Sequence, residues 1–306
     1  MVIHIGLVGL GKIAQDQHVP VLRDSPDFEL VAIASRNQSL EGCAHFQTIE
    51  QLLASDDAPA AIALCQPPQV RFDAARQALE AGKHVFLEKP PGATLSEVEA
   101  LKRIARDNGV TLFASWHSRY ASGVEAARLW LQDRTIRRVE IEWKEDVRHW
   151  HPGQAWIWEA GGMGVFDPGI NALSVATRIL PDFYLQQGTL SFPANRAAPI
   201  AADLDFVTVD GAPIRAEFDW RQTGPQTWDV RVETDSGKLV LSKGGSELMI
   251  DGAAQTLPPE AEYHGLYDRF AALVQAGESD VDLSPLRHVA DAYLRGQRRE
   301  VEAFED

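Results

Sequence analysis

Cysteine is nearly absent from this chain: Cys43 and Cys65 are the only two in 306 residues. That excludes a small secreted domain stapled by disulfides. Basic residues are also scarce, with 29 Lys and Arg against 44 Asp and Glu and a formal net charge of −15. Nucleic acid and anionic membrane surfaces are bound through an excess of Lys and Arg, so this balance points away from both. No apolar run reaches the roughly 18 residues that a membrane helix requires. No repeat or low-complexity tract is evident, and the chain enters an apolar strand at once, so a cytoplasmic location is expected. The nine histidines show no ligand spacing, and a metal is not expected. Hydrophobic residues make up 45% and charged residues 24%. That composition suits a globular protein, and the length suits two domains.

The most informative stretch is Gly9-Leu10-Gly11-Lys12-Ile13-Ala14, directly after the apolar run Ile3 to Val8. A buried strand, a glycine turn and a helix start follow one another within a dozen residues. The first glycine permits the turn, the second lets backbone approach a pyrophosphate, and the small Ala14 lets helix and strand pack closely. The N–H groups at the helix start then face the phosphates. This pattern names a dinucleotide as ligand before anything is known of a substrate.

Strand and helix alternate over the next hundred residues. Continuous apolar strands are expected at 30–34, 60–65, 84–87 and 110–115, with helices at 69–81 and 95–108 that stop at Gly82 and Gly109. Strands apolar on both faces mean a parallel sheet covered on both sides, a doubly wound Rossmann α/β domain over residues 1–118. Ligands in such sheets bind at the carboxyl ends of the strands. Those ends hold Gly9 and Gly11; Ser35 and Arg36; Gln66, Pro67 and Pro68; Glu88 and Lys89; and Trp116 and His117. Beyond the second strand, where an NAD site usually places Asp or Glu on the ribose diol, the chain reads Ser35-Arg36-Asn37. Arg36 suits a 2′-phosphate through its guanidinium, so NADP is expected to be preferred, with NAD also accepted.

After residue 119 the pattern changes. A helix is expected at 124–132, and strict period-two alternation appears at 138–143, 203–207, 215–220, 227–233 and 238–241. Alternation of that kind marks antiparallel strands with one wet face. Helices follow at 263–275 and 285–298. Residues 119–306 therefore read as an α+β domain on an open, mainly antiparallel sheet.

Three constellations carry chemistry. Glu88-Lys89-Pro90-Pro91 ends a sheet strand, and its prolines fix the turn. The alternative reading of Lys89 is a solvated surface side chain. The run Trp143 to Pro152, with Trp156 and Trp158 beyond it, combines aromatic faces with polar groups, as a sugar-binding surface does; Glu145 and His151 are its candidate ligands. Gly161 to Asn171 is a glycine loop entering a helix. Asp167 before Pro168 has the signature of an N-cap, so capping stands beside a catalytic role. Asn171, four residues on, falls on the same helix face as Asp167.

Together, the glycine fingerprint, Leu87 to Leu95, Trp143 to Gly153 and Gly164 to Ser174 resemble the Gfo/Idh/MocA oxidoreductase family over essentially the whole chain. The branch most similar oxidises L-arabinose and D-galactose at C1. The resemblance implies an enzyme that converts an aldopyranose to its lactone, with the second domain often used for homodimer contacts. By motif position it implies Lys89 and Asp167 as catalytic residues and His117, Glu145, His151 and Asn171 as sugar contacts. Many relatives carry histidine four residues after the aspartate, where this chain has Asn171. Two other readings stay open: a sensor that binds dinucleotide and sugar without turnover, and a family dehydrogenase for another sugar or inositol.

Overall fold

The computed structural model describes residues 2–305. The chain forms two compact units. The first runs through His117 and takes in Tyr263–Leu283; the second takes Ser118–Glu262 and the chain from Ser284 onward.

In the first unit, β1 (Ile3–Val8) leads into a helix that begins at Lys12, widens over Ala14–His18 and continues as α1 (Val19–Asp24). Then come β2 (Phe28–Ala34), β3 (Ala44–Phe46), α2 (Ile49–Leu53), β4 (Ala61–Leu64), α3 (Arg71–Glu80), β5 (His84–Leu87), α4 (Leu95–Asp107) and β6 (Leu112–Ala114). The strands form one parallel sheet in the order β3-β2-β1-β4-β5-β6. Strand order reverses direction between β1 and β4, the place where open α/β sheets bind ligands. Thr94 and Glu97 form a capping box that starts α4. Ile62, Leu64, Val85 and Leu87 are fully buried in a core with Ala75, Leu79 and Leu101. The short β3 and α2 escape the sequence pattern because a three-residue strand with two exposed positions and a five-residue helix give too little period to read.

The second unit begins with α5 (Val124–Leu131) and β7 (Ile136–Lys144), followed by the short α6 (Val147–Trp150) and α7 (Phe166–Ile179). Seven strands follow: β8 (Phe183–Pro193), β9 (Ala201–Thr208), β10 (Pro213–Asp219), β11 (Thr227–Thr234), β12 (Gly237–Ser242), β13 (Glu247–Ile250) and β14 (Ala253–Ala254). The helix α8 (Glu262–Ala276) comes next, and from Tyr263 its residues belong to the first unit. Finally α9 (Ser284–Arg295) and β15 (Gln297–Val301) complete the second. Its nine strands are ordered β14-β13-β12-β11-β7-β10-β9-β8-β15.

This sheet is open and mainly antiparallel, with two exceptions. β7 runs parallel to β10 while antiparallel to β11, and β15 runs parallel to β8. One face is apolar: Val139, Ile141 and Trp143 of β7 are buried. The other carries charge pairs along and across strands: Lys144 meets Glu142 of its own strand at 3.0 Å and Glu217 of β10 at 2.9 Å. Each such partly exposed pair is worth about 0–1 kcal/mol, so the sheet is held by its apolar face.

Two expectations change. Residues 263–283 do not continue the second domain. The reason is packing: Tyr267 stacks on Phe86 at 5.0 Å, and Phe270 meets Phe28 at 5.6 Å and Phe113 at 6.0 Å. Aromatic pairs of this kind add about 0.5–1.5 kcal/mol each beyond area burial. The last helix also ends at Arg295 rather than 298, because residues 297–301 pair with β8 as an exposed edge strand without apolar alternation.

Candidate functional site

In the first unit the glycine turn meets its expected geometry. Gly9 has φ of +90°, and a Cβ there would lie 3.1 Å from the Gln66 backbone nitrogen. Gly11 is different: a Cβ would meet nothing within 4 Å, so its backbone stands open at the helix start. Lys12 and Ile13 are exposed beyond it, and Ala14 is fully buried against the sheet. Gln66 and the prolines 67 and 68 follow β4, and Gln66 Oε1 is buried with no hydrogen-bond partner among the described residues. Ser35 and the exposed Arg36 follow β2. An open glycine backbone at a helix start, beside an orphaned amide oxygen, fits a dinucleotide.

Lys89 follows β5, half-buried, and its peptide bond to Pro90 is cis. Glu88, expected among the cofactor-binding residues, is engaged by groups of its own unit. It is 3% exposed. Its Oε2 accepts the Lys89 backbone N–H at 2.6 Å. Its Oε1 accepts from the Tyr263 hydroxyl at 2.7 Å and lies 3.1 Å from His18 Nε2. His18 is completely buried, with Nδ1 2.7 Å from the Tyr267 hydroxyl. Burial alone would lower the His18 pKa, but Cys65 and Glu88 beside it override that and raise it well above its ordinary value. Burial would likewise raise Glu88; His18, His117 and Tyr263 instead hold it well below the carboxylate range. Both shifts run in the direction that favours the charged forms, a protonated His18 facing the Glu88 carboxylate. His117, half-buried after β6, stacks on the Tyr263 ring at 5.6 Å.

In the second unit, three expected residues come together. Glu145 follows β7 and is 4% exposed; Asp167, in the first turn of α7, is equally buried. His151 ends α6 and lies with Nε2 3.4 Å from Asp167 Oδ2 and 4.0 Å from Glu145 Oε1. The Glu145 carboxylate also accepts the Trp220 indole N–H at 3.3 Å and that of Trp228 at 2.9 Å. His151 packs on Trp220 at 5.2 Å, and Trp228 is flanked by Trp143 and Trp150 at 5.9 and 5.3 Å. Capping does not explain Asp167. The N-cap of α7 is Val165, with no side-chain cap bond, and Asp167 lies inside the helix. Its carboxylate reaches His151 instead. Asn171 lies one turn further along α7, half-buried.

Motif reading missed His18, Tyr263 and Tyr267 of the first unit and Trp220 and Trp228 of the second. A signal existed for the tyrosines, which lie four apart on one helix, but nothing local tied that helix to the first sheet.

Residues 3–115 match the Gfo/Idh/MocA model, described as an oxidoreductase family with an NAD-binding Rossmann fold. A galactose 1-dehydrogenase from Pseudomonas fluorescens is 46% identical over 305 residues, 99% of this chain and 99% of that protein. The crystal structure of a D-galactose-1-dehydrogenase protein from Rhizobium etli superposes with a TM-score of 0.96 at 57% identity, covering 99% of this chain and 98% of that one. A 3-ketoreductase from Actinomadura kijaniata, solved with NADP and TDP-benzene, gives a TM-score of 0.84 at 21% identity over 98% of this chain and 100% of that one. That last likeness bears on the fold alone. The protein is an NAD-binding oxidoreductase of the Rossmann class. It belongs to the Gfo/Idh/MocA family. Among the described residues no helix is long and apolar enough to cross a membrane.

Proposed function

We propose that this protein oxidises the C1 hydroxyl of an aldopyranose, D-galactose and/or L-arabinose, to the aldonolactone, with NADP+ preferred over NAD+. The observation that carries the reading is the group in the second unit: two buried carboxylates on one imidazole, walled by tryptophans. Such a surface offers acceptors and a donor to a rim of hydroxyls and flat rings to C–H faces. The galactose 1-dehydrogenase relatives, matched over nearly their full length, support the same substrate class.

Gly9, Gly11, Lys12, Ile13 and Ala14 would hold the dinucleotide, with Ser35, Arg36, Gln66, Pro67 and Pro68 around it. Bound there, the dinucleotide would supply the hydride acceptor for oxidation at C1. Lys89 hydrogen-bonds the C1 hydroxyl and stabilises negative charge as it develops on that oxygen. Asp167 takes the hydroxyl proton as C1=O forms, with His151 beside it to share the charge. His117, Glu145, His151 and Asn171 read the other hydroxyls. Dimerisation through the second unit's sheet belongs to the same reading.

D-galactose deuterated at C1 tests the chemistry. The reduced cofactor should carry the label, and the product should be a lactone. Label retained in the product would place oxidation at another carbon and contradict the proposal.

A further inference from the structure

The turn that carries Lys89 is held by an unusual set of groups. Pro90 and Pro91 have no N–H, so the Lys89 amide is the one backbone donor in residues 89–91. Glu88 takes that donor at 2.6 Å. The turn's carbonyls are taken from the other side: the buried Arg71 guanidinium donates to the oxygens of both Glu88 and Pro90. Glu88 in turn is fixed by the Tyr263 hydroxyl at 2.7 Å and by His18 at 3.1 Å. Tyr263 serves a second residue as well, since its ring stacks on His117 at 5.6 Å and 19°.

Stability alone is a poor explanation of this arrangement. A fully buried ion pair loses most of its attraction to desolvation, and well-packed apolar residues of the same size commonly hold a fold as well or better. What buried charged networks do provide is a fixed geometry for the groups they bond. Here those groups are the backbone of Lys89 and the ring of His117.

Resting on the reading of Lys89 given above, we infer that Glu88 and Tyr263 are positioning residues. Glu88 fixes the Lys89 backbone, and Tyr263 fixes Glu88 through its hydroxyl and His117 through its ring. Neither needs to touch the sugar. The reach of the lysine ammonium is then set by a helix nearly 175 residues further along the chain. Small displacements of a reacting group cost rate steeply, so loosening the network should appear in kcat before it appears in binding.

The test compares purified Tyr263→Phe, Glu88→Gln and Lys89→Ala with the wild type, using D-galactose and NADP+. Tyr263→Phe keeps the ring and removes one hydroxyl, so it decides the matter even where Glu88→Gln fails to fold. The readouts are kcat, sugar KM, cofactor Kd, Tm and the isotope effect on kcat with C1-deuterated sugar. Tyr263→Phe should lower kcat by about tenfold with unchanged cofactor Kd and a larger isotope effect, since the chemical step becomes slower. A wild-type kcat and isotope effect in Tyr263→Phe, with Lys89→Ala inactive, would overturn the positioning role. Wild-type kcat in Lys89→Ala would overturn instead the reading of Lys89 on which it rests.

Discussion

The His151 imidazole lies 3.4 Å from Asp167 and 4.0 Å from Glu145, so two nearly buried carboxylates converge on one ring. The two oxygens of Glu145 are already engaged by Trp220 and Trp228. Asp167 lies inside the first turn of α7 rather than at its N-cap, with its backbone N–H on the Gly164 carbonyl at 2.8 Å. On the proposed reading, that carboxylate is the proton acceptor.

Asp167→Asn should therefore lower kcat by roughly 10²–10⁴, the usual worth of a positioned general base. The fold should survive, because asparagine fills the same space. Initial rates with circular dichroism on the same samples check this; near-wild-type kcat would remove Asp167 from the mechanism.

Trp228→Phe takes an indole donor from Glu145 Oε2 and keeps an aromatic face. A hydrogen bond to a charged group is worth about 1.5–3 kcal/mol, so sugar KM should rise at least about tenfold. The change in kcat should be smaller, since the proposal places this carboxylate on hydroxyls away from the reacting carbon. Steady-state kinetics in galactose separates the two parameters, and an unchanged KM counts against Glu145 as a sugar contact.

Arg36 is exposed after β2, where no carboxylate stands to receive a ribose diol. Arg36→Ala should lower kcat/KM for NADP+ by about tenfold or more while leaving NAD+ nearly unchanged, as loss of a charge-assisted phosphate contact does. An unaltered ratio between the cofactors would remove Arg36 from cofactor choice.

The His18–Glu88 pair makes a prediction in pH. The folded value of His18 is raised from 6.5 to about 10, so its contribution is complete below pH 6.5 and is lost as pH rises toward 10. That of Glu88 is lowered from 4.5 to about 2, so its contribution is complete above pH 4.5 and is lost as pH falls toward 2. The pair thus stabilises most between pH 4.5 and 6.5. The stability gap between wild type and His18→Gln should be widest there and narrow as pH rises. Denaturant melts across that range measure it, and a gap that widens with pH contradicts the assignment.

Much of this was legible in the chain itself. Continuous apolar strands before Gly9, Ser35, Gln66 and Glu88 spell out a parallel sheet, and period-two alternation from Arg138 spells out the second. Lys89, Glu145, His151 and Asp167 stand out because charged or imidazole side chains interrupt strand and helix ends. What local pattern does not carry is partnership over long separations. Tyr263 and Tyr267 look like ordinary positions of an amphipathic helix until the fold brings them to His18 and Glu88. Glu88 is a second case: its place at a strand end gives no sign of the contacts with His18 and the Lys89 amide that the fold supplies. The edge strand β15 was hidden because a strand exposed along most of its length has no apolar face to alternate.

The most direct measurement is reduced-cofactor formation by the purified protein, with D-galactose, L-arabinose, D-glucose and myo-inositol each offered with NADP+ and NAD+. Turnover of D-galactose or L-arabinose, faster with NADP+ and absent with myo-inositol, is the predicted result. Turnover of myo-inositol alone, or none with any sugar while the cofactor still binds, would contradict an aldose 1-dehydrogenase.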